Sequence, residues 1–356
     1  MPPVGSPERP ARVLLLGYGI GGAAFHAPLI AATPGLRLAA VTTRDPQRVA
    51  EVGARYPGAA VLPDGETALA SAGDFDLAVV TTPNRSHVPL ARTALEAGLA
   101  VVVDKPLAAR AAEAEELVAL AGRRQRPLTV FQNRRWDGDL LTLRRLIADG
   151  SLGRVQRFES RFERWRPRPK VGWRELADPR DAGGVLYDLG SHLIDQALLL
   201  FGPPTSVYAE LDVRRPGAAV DDDAFVALTH AGGVRSHLWA SATAADVGPR
   251  LRVLGSAAAY VKHGLDVQEE QLRGGTRPGD AGYGVEDESA WGTIGTDGDR
   301  RPVATERGDY PAFYVAVAAA LRGEGPVPVD PADAVAALRV VEAAQRSAAT
   351  GAPVAL

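Results

Sequence analysis

The chain contains no cysteine and only one methionine among its 356 residues. Without thiols there is no disulfide, thiolate-bound metal, iron–sulfur cluster or cysteine nucleophile, and the composition fits a reducing compartment. A basic excess is also missing. The 40 Lys and Arg face 43 Asp and Glu, for a net charge of −3, which argues against nucleic acid as a partner. Long apolar runs are lacking too. The longest candidate, Tyr314 to Leu321, falls well short of the roughly 20 residues a membrane helix needs, so no membrane partner is expected. Met1 to Arg12 is rich in proline and charge and has no apolar stretch. It reads as a loose tail (1–11), not a secretory signal, and the protein as soluble and cytoplasmic. With 46% hydrophobic and 23% charged residues the chain can bury a sizeable core. Its length suits two domains.

The first third alternates compact apolar runs with helical stretches. Arg12–Leu16, Leu36–Thr42, Ala59–Leu62, Leu77–Thr81, Ala100–Val103 and Leu128–Phe131 read as strands buried on both faces. Pro46–Tyr56 after Asp45, His87–Ala97 before Gly98, and Ala108–Arg124 read as the helices between them. Strand–helix–strand repetition predicts a doubly wound parallel α/β sheet over 12–131. Beyond it, Trp136–Asp149 is an amphipathic helix and Gly153–Glu163 alternates, with a Phe158/Ser160/Phe162 face. Ser206–Val213, Ala224–His230, Val234–Ser241, Leu251–Leu254 and Ala258–Lys262 follow at turn-punctuated spacing. That pattern predicts an α+β domain over 132–356 with an open, mostly antiparallel sheet. A helix near Val185–Phe201 interrupts it, Gly274–Arg307 reads as a long irregular excursion, and helices near Pro311–Arg322 and Pro331–Ala348 close the chain.

Gly17-Tyr18-Gly19-Ile20-Gly21-Gly22 fits G-x-G-x-x-G directly after the first strand and at the start of a helix. Gly17 permits the tight turn, Gly19 lets backbone N–H groups approach a pyrophosphate beside Ile20, and Gly22 allows close helix–strand packing. The alternative is a plain glycine-rich turn. Where an acidic residue would bind a ribose 2′-hydroxyl, the chain has Thr42-Thr43-Arg44. Hydroxyls and a guanidinium suit a 2′-phosphate, so Thr43 and Arg44 point to NADP(H), with NAD(H) as the alternative. Asp45 weighs against this unless it caps the next helix. Thr82, Pro83 and Asn84 end the fourth strand on the ligand-binding edge, and His87 is either a cofactor neighbour or an interdomain residue.

The fifth strand ends in Asp104-Lys105-Pro106, which aims a lysine at the crevice where a nicotinamide would lie. The proline cannot continue a strand ladder and suits a tight turn, with a cis bond as an option. Asp188 and His192 stand at i and i+4 and share a helix face, which Asp195 continues. They read as a helix-start acid with a core histidine, as two of three metal ligands lacking an evident third, or as an acid/base pair. The upstream dinucleotide loop favours the pair, because hydride transfer to a carbonyl needs a proton donor. No metal is expected.

On Gly17–Gly22, Thr82-Pro83-Asn84, Asp104-Lys105-Pro106 and Asp188 with His192, the chain resembles the Gfo/Idh/MocA oxidoreductases over nearly its whole length. The resemblance implies that Lys105 hydrogen-bonds the reacting oxygen, His192 is the general acid/base, and Asp188 orients them or the substrate. Asp104 stands where that family usually has Glu, a carboxylate of shorter reach. A narrower similarity, in Gln132–Asp137, Tyr187–Gln196 and Gly248-Pro249-Arg250, is to the NADP-dependent scyllo-inositol dehydrogenase branch. It implies a polyol or sugar substrate and a homo-oligomer built on the open sheet. Other sugars (an aldose, an anhydro-ketose, an amino- or deoxysugar) and a non-catalytic cofactor-binding regulator of the same fold are the rivals. Retention of Lys105, Asp188 and His192 favours an enzyme.

Asn133, just past the sixth strand, suits cofactor and polyol contact, and Arg134, Arg135 and Trp136 line the same mouth or merely start a helix. The basic stretch Arg164–Lys170 is either a surface loop or a cover in which Trp165 stacks on a sugar and Arg166 donates to hydroxyls. Trp173, Arg174 and Trp291 are weaker candidates.

Overall fold

The computed structural model describes residues 3–356. Strands β1 (Ala11–Leu16), β2 (Leu36–Thr42), β3 (Ala60–Leu62), β4 (Leu77–Val80), β5 (Ala100–Asp104) and β6 (Leu128–Phe131) form one parallel sheet in the order 3-2-1-4-5-6. β1, β4, β5 and β6 are buried almost throughout. They are covered by α1 (Ala27–Ala32), α2 (Pro46–Arg55), α3 (Gly65–Ala70), α4 (His87–Glu96) and α5 (Ala111–Arg124). Strands buried on both faces have no need to alternate, which is why they read as continuous apolar runs.

The second half contains α6 (Gly138–Ala148), β7 (Val155–Glu163), α7 (Ser191–Phe201), β8 (Pro204–Asp212), β9 (Asp223–His230), β10 (Arg235–Ser241), β11 (Leu251–Gly255) and β12 (Ala259–Lys262). After them come α8 (Gln268–Arg273), β13 (Gly292–Thr296), β14 (Asp299–Val303), α9 (Pro311–Arg322), α10 (Pro331–Thr350) and β15 (Val354–Ala355). The nine strands run in the order 14-13-12-11-7-10-9-8-15. All neighbours are antiparallel except β7 with β10, which are parallel. α7 lies on one face of this sheet, with the rings of Phe158 and Phe201 5.5 Å apart.

Two sequence expectations change, and the closing helices show an added contact. Part of the supposed irregular excursion is the β13–β14 hairpin, which extends the sheet edge. Its strands are polar and Gly-bearing, and β14 carries Pro302 on the outermost edge, where a missing N–H costs nothing. The expected loose tail is packed from Val4 onward: Arg322 donates to the Gly5 carbonyl at 2.8 Å, and Ala11 already belongs to β1. The last two helices return to the first domain. Thr129 of β6 donates to the Val329 carbonyl at 2.8 Å, and Glu342 of α10 accepts from the first amide of α5 at 2.9 Å.

The segment entering α7 is fixed by a glycine. Gly184 has φ +95, and a Cβ there would run into the Asp221 carboxylate. That carboxylate accepts the Leu186 amide at 2.7 Å, while the Asp221 carbonyl accepts the Val185 amide at 2.9 Å. Gly184→Ala is expected to lower stability by about 1–3 kcal/mol through backbone strain and a displaced Asp221. Urea unfolding measures this, and an unchanged midpoint would show that the turn accepts a side chain.

Candidate active site

The glycine-rich turn follows β1 and opens into a widened helical turn, Gly21–His26, continued by α1. Gly17 has φ +101, and a Cβ there would crowd Thr81 and Thr82 at 3.1 Å; a Cβ at Gly22 would strike the Gly17 carbonyl. Gly19 differs, since nothing lies within 4 Å of its Cβ position. Ile20 beside it is 60% exposed. An open approach to the backbone and an apolar side chain presented above it fit a dinucleotide lying over the loop. When bound, its pyrophosphate would face the amides of this first turn, whose N–H groups have no partner within the helix.

At the ribose end, Thr42 accepts the Gly17 amide at 2.8 Å. Thr43 is turned back to accept the Asp45 amide at 3.3 Å. Asp45 caps α2, accepting Gln47 N at 2.9 Å, so the carboxylate that weighed against a 2′-phosphate has a structural task. Arg44 is exposed and pairs with Asp64 at 2.5 Å.

Of the residues beyond β4, Thr82 and Pro83 stay beside the loop, whereas Asn84 and His87 turn away from it. The Asn84 carboxamide donates to the Asp181 carbonyl at 2.9 Å, and Arg85 forms an ion pair with Asp181. Both contacts tie this loop to the segment that leads into α7. His87 is buried with Nδ1 2.8 Å from the Pro106 carbonyl and Nε2 2.8 Å from the Thr82 carbonyl. Burial lowers its pKa from the ordinary histidine value, while the two carbonyl contacts act the other way. His87 thus braces the two cofactor-side loops against each other.

Two of the three residues expected from sequence, Lys105 and Asp188, meet directly. Lys105, followed by a cis peptide bond to Pro106, ends β5 and donates Nζ to the Asp188 carbonyl at 2.5 Å and to Asp188 Oδ1 at 3.2 Å. Asp188 lies in a widened turn, Leu186–Gly190, that runs into α7, and His192 follows one turn on. Burial lowers the Lys105 pKa from its ordinary value while Asp188 opposes the shift. Asp188 is held far below the ordinary carboxylate range by Lys105, Arg174 and Arg164, against its own burial. His192 is buried, its Nδ1 lacks a partner among the described residues, and burial plus the charge of Lys105 push its pKa well below 6.5. A neutral imidazole beside an ammonium can take a proton while the ammonium stabilises the oxygen left behind.

Arg174, a weaker candidate from sequence, and Arg164, the first residue of the basic stretch, join Asp188. Arg174 donates Nε to Oδ1 at 3.0 Å, and Arg164 brings Nη2 to 3.9 Å from Oδ2. Trp165 and Arg166, expected over the substrate, are both exposed. The reason is strand parity. Phe158, Ser160 and Phe162 face α7, and strand-like pairing continues beyond β7, with the Arg164 amide on the Ser241 carbonyl at 3.0 Å. Arg164 therefore keeps the inward face, Trp165 turns outward, and Arg166 has the right parity one step too far along. Extending the alternation past Glu163 would have found Arg164. Arg174, named from sequence as a weaker candidate, is placed by its carbonyl accepting the Gly184 amide at 2.9 Å. Burial and Arg166 lower the Arg164 pKa to about 10.

Asn133 follows β6 directly and is buried, and among the described residues its carboxamide has no protein partner. Arg134 and Arg135 are structural: Arg135 makes a two-pronged pair with Asp195 at 2.6 and 2.8 Å, and Arg134 binds Glu269 at 2.7 Å. Asp195 is thereby removed from the acid/base face. Trp291 directly precedes β13. Among the described residues no group of three or more His, Asp or Glu could hold a metal ion, and no helix is long and apolar enough to cross a membrane.

Comparison with known proteins covers both halves. The family model "Oxidoreductase family, NAD-binding Rossmann fold" matches residues 11–132, and "Oxidoreductase family, C-terminal alpha/beta domain" matches 144–356. The chain is 43% identical over 339 residues to the uncharacterized oxidoreductase YdgJ of Escherichia coli K12, covering 95% of this chain and 96% of that one. It is 33% identical over 340 residues to the scyllo-inositol 2-dehydrogenase (NADP(+)) IolW of Bacillus subtilis 168, covering 94% and 93%. Among solved structures, the oxidoreductase yvaA of Bacillus subtilis matches with a TM-score of 0.90 at 31% identity, over 98% of each chain.

The influence of the Lys105 charge on His192 has a direct readout. In the free protein the His192 imidazole is expected to titrate below pH 6.5, and Lys105→Met, which removes a neighbouring positive charge, is expected to raise that value. Histidine NMR measures both. An unmoved His192 resonance in the variant would place the two groups apart.

Proposed function

The chain belongs to the Gfo/Idh/MocA oxidoreductase family, and on that premise we propose an NADP(H)-dependent dehydrogenase that moves hydride between nicotinamide and a ring carbon of a polyol or sugar. Scyllo-inositol and scyllo-inosose are the first pair to assay. The observation that carries the reading is the meeting of Lys105, from the carboxyl end of β5, with Asp188 of the second domain at 3.2 Å. That contact supports a site in which an ammonium, a carboxylate and the His192 imidazole serve at the ligand-binding edge of a dinucleotide fold. The relative named for NADP-linked scyllo-inositol oxidation supports the substrate class and cofactor.

When bound, the nicotinamide supplies the hydride acceptor. His192 takes the hydroxyl proton, and Lys105 hydrogen-bonds the oxygen as it gains negative charge, a stabilisation realised mainly in the transition state. Asp188 holds the ammonium in place and balances the cations around it. Gly17, Gly19, Ile20 and Gly22 cradle the pyrophosphate, with Thr82 and Pro83 alongside. Asn84, His87 and Asp104 shape that edge from behind. Asn133, Arg164 and Arg174 offer donors to substrate hydroxyls, and Trp165 and Arg166 form the outer rim. The outer face of the second sheet carries a half-exposed row, Phe225, His237 and Trp239, with Arg161 stacked 3.9 Å over Trp239. We read that face as the contact of a cytoplasmic homo-oligomer.

A spectrophotometric screen of NADP⁺ and NADPH over inositols, inososes and common sugars tests the activity. Lys105→Ala and His192→Ala are each expected to lower kcat roughly 10²–10⁴-fold, and near-native turnover in either variant would take that side chain out of the chemistry. Because His192 stays neutral below the ordinary histidine range, kcat/KM for polyol oxidation should hold its plateau as pH falls through 6.5 and decline only below it. For the cofactor, Arg44→Ala is expected to raise KM for NADP(H) about tenfold, the scale of one charge-assisted contact, and to leave KM for NAD(H) nearly unchanged. An equal change for both would transfer the 2′-phosphate to other residues.

A further inference from the structure

Behind Lys105 lies a buried polar chain whose members are far apart in sequence. His26 stands on the widened turn after the glycine loop, and Tyr314 stands on α9, 288 positions away. Both are fully buried. Their polar atoms meet, with Nδ1 of His26 2.6 Å from the Tyr314 hydroxyl. The imidazole is packed against Phe131, ring centres 4.2 Å apart, which fixes its plane. Its other nitrogen, Nε2, is buried and has no hydrogen-bond partner among the described residues. The acceptor it faces is Asp104 Oδ2, at 3.8 Å.

The Asp104 carboxylate is itself shared. Oδ1 accepts the backbone amide of Lys105 at 2.8 Å, and Oδ2 lies 3.0 Å from the Cβ position of Gly21, against the cofactor loop. The side chain thus grips the first atom of the catalytic lysine with one oxygen and is offered to His26 with the other. Hydrogen-bond logic then sets the direction. Where the phenol donates to Nδ1, the ring hydrogen is left on Nε2, on the side of the carboxylate. The charged and titratable groups facing this chain are Asp104 from β5 and Tyr314 from α9, with Lys105 and His87 beyond Asp104.

We propose that Tyr314, His26 and Asp104 form a buried buttress that orients the backbone of Lys105, with His26 and Tyr314 as positioning residues for the reaction. The proposal rests on the catalytic role of Lys105. It also gives the short carboxylate at position 104 a facing donor, the imidazole nitrogen 3.8 Å away. Without the Nε2 donor the carboxylate is free to rotate toward the Lys105 ammonium, which would draw that ammonium off Asp188.

The first test reads the apoprotein. In ¹⁵N-histidine NMR, His26 is expected to show a protonated Nε2 and an unprotonated Nδ1, and Tyr314→Phe is expected to erode that preference. The opposite tautomer, or a Tyr314→Phe spectrum identical to the parent, overturns the proposal. The second test is turnover of scyllo-inositol with NADP⁺. His26→Leu is expected to lower kcat about tenfold with KM for NADP⁺ within twofold, the scale of a misplaced catalytic group. His26→Gln, whose amide can place an N–H near the Nε2 position, is expected to recover most of the loss. The double variant His26→Leu/Tyr314→Phe should be no slower than His26→Leu alone, because the two residues act in series. Full kcat in His26→Leu, a glutamine variant as impaired as leucine, or additive losses would each reduce the pair to packing. Should His26→Leu fail to fold, Tyr314→Phe, which removes one oxygen, carries both tests. If Lys105→Ala is itself near native, the parent reading fails; if Lys105→Ala is inactive while His26→Leu is at full rate, only the buttress fails.

Discussion

The contact between Lys105 and Asp188 joins two domains whose sheets share no strand, and it sets the charge state of everything near it. An ion pair about 4 Å apart near a protein surface gains roughly 4 kcal/mol at an effective dielectric constant of about 20. Burial of each ion costs several kcal/mol, so the two effects nearly cancel. The pair is therefore poor at holding the domains together and good at holding two side chains in one place. Its carboxylate also answers Arg174 and Arg164, so the cluster carries more positive than negative charge. That surplus, with burial, keeps His192 neutral. A neutral imidazole and an ammonium thus follow from one arrangement of charges.

Because the pair does not supply cohesion, other contacts must fix the domain geometry. They lie on both sides of it. Arg85 and Asn84 clasp the Asp178–Ala182 segment from the cofactor domain, and Tyr187, next to Asp188, donates to the Ala109 carbonyl at 2.9 Å. α10 packs along α5 on the far side. The lysine and the aspartate are consequently positioned by backbones anchored within a few residues of each, and their long side chains have little freedom to lose.

The parts legible in the sequence are those set by local rules. Buried parallel strands, the glycine turn, a lysine at the end of β5 and the spacing of Asp188 and His192 each follow from a period or a backbone need confined to a few residues. What was illegible depends on distant partners. Residues 292–303 hold few apolar side chains because an edge strand has one poorly covered face, so nothing marked them as sheet. Asn84 and His87 sit in the expected motif but spend their polar atoms on protein carbonyls, since a buried donor takes the acceptor that the tertiary fold provides. Arg174 reaches Asp188 only because the loop before α7 folds back on itself.

The three segments of narrower likeness carry a different meaning from the one their sequence suggests. Gln132–Asp137, Tyr187–Gln196 and Gly248–Arg250 are far apart in the chain, yet they meet in one buried polar network. Arg135 binds Asp195, Gln196 donates to the Arg134 carbonyl at 3.0 Å, and Arg250 donates to Gln196 at 2.8 Å and to Ser160 at 2.5 Å. An apolar helix such as α7, which ends in Ala-Leu-Leu-Leu-Phe, could rotate on a greasy sheet at modest cost, because dispersion has no direction. Fixed hydrogen bonds on one of its faces remove that freedom, and breaking one leaves a buried charge or amide unpaired. The bonds between Arg134, Arg135 and Arg250 and the α7 residues Asp195 and Gln196 therefore set the rotation of α7 and with it the direction of His192, which the same helix carries.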